Sequence, residues 1–135
     1  MHRDSIAIIA AVRACVGTRF RAQGRLAGVA LDCVGVALVA ASAAKVCVAV
    51  PPYSLGGDRE PDLDDLIAAS GCHAVAVAAP GDLLLVAPGP NRRHLAIVTE
   101  AGVVHAHAGL GRVVEGPLEP AWTILGAWRL PEGIV

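Results

Sequence analysis

The sequence predicts an α+β domain in which N-terminal helices pack on a C-terminal antiparallel sheet. Two observations carry this. Alanine- and valine-rich runs of helical length fill the first half, and short β-rich runs separated by Gly, Pro or Glu-Ala-Gly turns fill the second. The 135 residues are read as one domain spanning 1–135, long enough to bury a core. At 55% hydrophobic and only 3% aromatic, that core must be built from Ala, Val, Leu and Ile.

The elements follow in order. Asp4 or Ser5 caps a first helix running to about Val16, with Gly17 ending it. The start "MHRDSIAIIAAVRAC" is read as this helix and not as a leader, because Asp4 follows the basic residues and Arg13 stands where a cleavage site should be small and neutral. A polar loop, "GTRFRAQGRLAG", comes next. From Cys33 to about Lys45, "CVGVALVAASAAK" reads as a buried helix with Asp32 at its N-cap. "VPPYSLGGDREP" is loop, and Asp62 to Ser70 a short third helix. "DLLLVAPG", "HLAIVTEAG", "VVHAHAG", "RVVEG" and "WTILGAWRL" supply the strands.

Charge and hydropathy exclude several functions. A formal net charge of −1 argues against a domain that tracks phosphate backbones, so nucleic acid is not expected as a partner. The basic cluster Arg13, Arg19, Arg21 and Arg25 reads first as solvated surface and second as an anion contact. No apolar run reaches the roughly 18 residues of a membrane span; Ile6 to Val12 is closed by Arg13.

The four cysteines, Cys15, Cys33, Cys47 and Cys72, form no CxxC pair and no zinc-like spacing with histidine, so neither a structural metal nor a disulfide framework is expected. Cys15 and Cys47 lie in Ala/Val runs and read as small core residues. Cys33 differs, because it opens a helix. The positive end of a helix favours a thiolate, and its unbonded N–H groups suit an oxyanion. The partner base must come from elsewhere in the chain. His94 opens "HLAIV" and His105 closes "GVVHA", so the "TEAG" hairpin sets them on adjacent strands as base and orienter. His107, two residues beyond His105, competes for the orienting role. His2 lies at a terminus and His73 has no partner pattern.

The order "GTRFRAQGR…GVALDCVGVAL…PGDLLLV…RRHLAIVTEAGVVHAH" resembles the NlpC/P60 cysteine peptidases, and within them the subgroup of phage tails and gene transfer agents. The resemblance covers nearly the whole chain. It implies a papain-like NlpC/P60 fold, with Cys33 as nucleophile, His94 as general base and His105 as the residue that orients it. It also implies peptidoglycan stem peptides as substrate and no cofactor, in a protein made in the bacterial cytoplasm, docked on a tail hub or tail-tip protein and acting in the target cell wall. Phe20, Gln23, Arg25 and Asp32 are the candidates for substrate or oxyanion contacts, and Arg19, Arg21 or Arg25 for the stem-peptide carboxylates. Three positions depart from the family pattern: Phe20 replaces a tyrosine near the oxyanion site, Ala22 a histidine of the tail subgroup, and Val34 a serine beside the nucleophile. These departures keep two other readings open. One is a structural tail component with little hydrolysis; the other is an amidase or acyltransferase using the same Cys-His arrangement.

Overall fold

A computed structural model describes residues 3–46, 63, 67, 70–90 and 92–131. Helix α1 spans Arg3–Arg13 and helix α2 Cys33–Ala43. Between them Arg25–Leu26 (β1) and Ala30–Leu31 (β2) form a short antiparallel hairpin. Six further strands follow: β3 (His73–Ala74), β4 (Leu83–Ala87), β5 (His94–Thr99), β6 (Gly102–His107), β7 (Arg112–Gly116) and β8 (Thr123–Arg129). They form one antiparallel sheet in the order β3-β8-β4-β5-β6-β7.

The helices bury one face of this sheet. Ile8, Val12 and Cys15 from α1 and its exit, and Val34, Val36 and Ala40 from α2, meet Leu83, Leu85, Leu95, Ile97, Val104, Ala106 and Val113. The alternate residues Leu84, Val86, Ala96, Val103 and Ala127 form a second cluster, packed against residues that include Val75, Leu118 and Trp122. A strand buried on both faces has no polar side to show, which explains the unbroken "LLLV" run of β4.

Two helix boundaries differ from expectation. α1 begins at Arg3, so Asp4 and Ser5 stand inside its first turn. It ends at Arg13; the N–H groups of Cys15 and Val16 turn back to Val12 and Arg13, three residues away, before Gly17 at φ +92° redirects the chain. α2 keeps the expected cap and stops two residues short of Lys45, whose φ of +62° breaks the helix. Of the expected third helix, Leu63 and Ile67 are helical and buried; its other residues except Ser70, together with Cys47, His2 and the "VPPYSLGGDREP" loop, lie outside the described residues.

Strands β1, β2 and β3 are too short to show a period of two, and none was expected from the sequence. His73 accordingly sits in β3, exposed and paired with Arg129 of β8. Two ion-pair clusters brace the fold, one between α1 and the sheet and one within the sheet. Arg13 at the end of α1 reaches Glu100 at 2.8 Å and Glu115 at 2.9 Å, pinning α1 to the β5–β6 turn and to β7. The buried Asp82 takes the Ala79 N–H at 2.8 Å and the Arg129 guanidinium at 3.1 Å, which fixes the start of β4.

Candidate active site

Cys33 is the first residue of α2 and is only 2% exposed. What holds it there is the residue before it. Asp32 is wholly buried, and its carboxylate accepts from the Gly35 N–H at 2.7 Å, the Gln23 N–H at 2.6 Å and the Arg25 guanidinium at 3.2 Å. One acid therefore caps α2 and anchors the 21–25 loop against it. Gly35 completes the fit, because a methyl group there would collide with the Gly24 carbonyl. The Asp-Cys-x-Gly order is thus a packing requirement.

The histidines stand on the opposite wall. β5 and β6 pair through Ile97↔Val104, Val98↔Val103 and Thr99↔Gly102, which sets His94 and His105 at one end of the hairpin. His94 Nε2 and His105 Nδ1 lie 2.9 Å apart, a hydrogen bond. Trp122 stands edge-on to both rings, with centroids 5.3 Å from His94 and 4.8 Å from His105. His107 touches His105 from a ring distance of 5.5 Å, and its Nδ1 accepts from the Leu110 N–H at 3.0 Å. The structure therefore joins His94 to His105, while His107 is engaged by its own turn.

Burial lowers the basicity of both joined rings. His94 is pushed well below the ordinary imidazole range by burial, then by the charges of His105, His107 and Arg92. His105 is lowered by burial and then by His107. Both rings are therefore neutral near pH 7. A neutral pair joined through Nε2 of His94 leaves its Nδ1 to take a proton if Nε2 carries the hydrogen.

Cys33, His94 and His105 line one pocket of about 420 Å³. Phe20 and Ala22 line it too, and Arg92, Arg93, Glu119 and Trp122 complete much of its rim. Three of the proposed contact residues do not line it. The Asp32 carboxylate is sealed beneath the loop, so it positions α2 and touches no ligand; Gln23, at φ +62°, uses its N–H on Asp32, and Arg25 is paired with that same carboxylate. Arg19 and Arg21 are exposed outside the pocket, and the arginines on it are Arg92 and Arg93. Sequence reasoning missed these two and Trp122. Arg92 and Arg93 fall outside the basic cluster that the sequence singles out, and the one available signal for Trp122 was its rarity in a chain with two tryptophans. Among the described residues no cluster of His, Cys, Asp or Glu is arranged to hold a metal ion.

No protein-family model matches this chain, and no curated protein matches it. Solved structures do. It is similar to NlpC2 from Trichomonas vaginalis, with 13% identity and a TM-score of 0.68 over 96% of this chain and 47% of that one. NlpC1 from the same organism gives 14% identity and a TM-score of 0.64 over 94% of this chain and 44% of that one. The chain thus spans less than half the length of either neighbour. At this identity the likeness defines the fold: an α+β, NlpC/P60-like domain.

Proposed function

We propose that this chain is a cysteine peptidase that cuts peptidoglycan stem peptides. The observation that carries the reading is the His94–His105 hydrogen bond in a pocket shared with a cysteine at a helix start. The NlpC-type fold of the solved neighbours supports it. His94 Nδ1 takes the Cys33 proton, and the thiolate attacks the amide carbonyl. The imidazolium gives that proton to the leaving amine, and a thioester remains on Cys33. Water, deprotonated by His94, then releases the acid and restores the thiol. His105 accepts from His94 Nε2–H throughout and holds the tautomer.

Backbone N–H groups in the first turn of α2 stabilise the oxyanion, since Phe20 brings no hydroxyl to the pocket wall. The sequence resemblance supports carriage on a phage-like tail, docked on a hub or tail-tip protein, with action in the target cell wall. A second reading, a tail component with weak hydrolysis, is favoured by Phe20 and Ala22, which line the pocket in place of polar family residues. Digestion of purified peptidoglycan by the wild-type protein and Cys33→Ala, with mass analysis of the muropeptides, separates the two. Cleavage within the stem by the wild type alone supports the peptidase; no release from either folded protein supports the structural role.

A further inference from the structure

His107 is the third imidazole of the pocket, and the proposed catalysis leaves it unused. It follows His105 by two positions on β6, so both side chains leave the same face of the strand. The turn after the strand fixes its ring. The Leu110 N–H donates to His107 Nδ1 at 3.0 Å and the Gly111 N–H to the His107 carbonyl at 2.9 Å, so one loop holds ring and backbone together. Gly109 makes room for this arrangement, because a methyl group there would stand 3.0 Å from His107 Cε1. A ring nitrogen that accepts a hydrogen bond carries no hydrogen, so the hydrogen of His107 is on Nε2. Among the described residues, Glu119 of the same pocket included, none bonds that N–H. The half-buried ring thus lines the pocket with its tautomer set by the backbone and its second nitrogen unused.

We propose that His107 Nε2–H is a substrate-binding donor, which takes a peptide carbonyl oxygen at least one residue away from the cut amide and so positions the chain beside the cut. This deepens the peptidase reading and rests on it. The spacing of the rings separates His107 from the reacting atoms: His105 lies 5.0 Å from His94 between centroids, and His107 a further 5.5 Å from His105. An extended peptide advances about 3.3–3.6 Å per residue, so a carbonyl that meets His107 belongs to a neighbouring residue and not to the bond under attack. A half-buried donor gains from any acceptor that replaces water. A donor already held in one tautomer and one orientation gives up little freedom when it binds.

The first test needs no peptidase activity. In protein carrying 15N-labelled histidine, with the His107 signals assigned by their loss in His107→Asn, NMR is expected to place the hydrogen on Nε2. Added stem peptide is expected to shift that Nε2–H signal in Cys33→Ala protein, which binds without cutting. A ring with its hydrogen on Nδ1 overturns the proposal. The second test separates the donor from the turn. Asn keeps an oxygen for the Leu110 N–H but ends short of Nε2, whereas Gln carries an amide N–H to the Nε2 position without serving the turn. His107→Asn is expected to lose about three- to tenfold in kcat/KM on a stem peptide, chiefly through KM, and His107→Gln to stay within about twofold of wild type. A His107→Gln protein as poor as His107→Asn overturns the donor role. Wild-type efficiency in His107→Asn removes the donor and leaves the peptidase. A peptide-induced shift at His107 Nε2–H with no cleavage by the wild type keeps the donor and removes the peptidase, and a peptide that is neither bound nor cut overturns both.

Discussion

The two walls of the pocket are held in different ways. On the thiol wall the backbone does the positioning: one buried carboxylate grips a helix cap, a loop N–H and a guanidinium, and a glycine lets that loop lie against the helix. On the imidazole wall side chains do it: two rings bond each other under the edge of a tryptophan, at the end of a hairpin whose other end is tied to Arg13. The difference teaches how each wall should fail. Damage to the residue that holds the thiol wall costs stability first, whereas damage to the imidazole wall costs chemistry and leaves the fold.

The largest expected effect tests the imidazole wall. On the proposed mechanism, His94→Gln should lower kcat on stem peptides by about a thousandfold or more, through loss of the proposed general base, and His105→Ala by about ten- to a hundredfold, through loss of that base's orientation alone. Steady-state kinetics beside an unchanged circular dichroism spectrum checks both. A His105→Ala enzyme as poor as His94→Gln would mean that the rings act as one unit.

Asp32→Ala probes the thiol wall and should look different. It leaves the Gly35 and Gln23 N–H groups without their acceptor and Arg25 without its partner, a loss of about 2–4 kcal/mol in urea unfolding. A stable but inactive Asp32→Ala protein would break the contrast between the walls.

The smallest effect is a pH dependence. His94 and His105 are depressed in the folded protein, so as pH falls below about 6.5 the unfolded chain takes protons that the folded one refuses. Their contribution is fully present above that pH and is lost on the way down toward about 4, where His105 titrates. The urea midpoint of the wild type should therefore drop between pH 7 and pH 4.5 by more than that of a His94→Gln/His105→Gln double variant. Equal drops would mean that the rings are as basic folded as unfolded.

What was legible in the sequence was what lies close along the chain. The cap at Asp32, the helix starting at Cys33 and the hairpin bringing His94 to His105 each depend on residues within about a dozen positions, and periodicity with turn chemistry finds them. The triple role of Asp32 was not legible, because Gln23 and Arg25 look like polar loop residues until the loop folds onto α2. Trp122 was not, because it reaches the rings from a loop 17 residues beyond His105, with no pattern to mark it. β1, β2 and β3, at two residues each, carry no alternation to read.

The measurement that bears most directly on this account is the capture of an acyl-enzyme. Wild-type protein mixed with a defined stem peptide and quenched in acid within the first turnover should carry the acyl fragment as a thioester, located on the Cys33 peptide by mass spectrometry. Cleavage of that peptide with no adduct on Cys33, or cleavage that survives in Cys33→Ala, would contradict the assignment of Cys33 as the nucleophile.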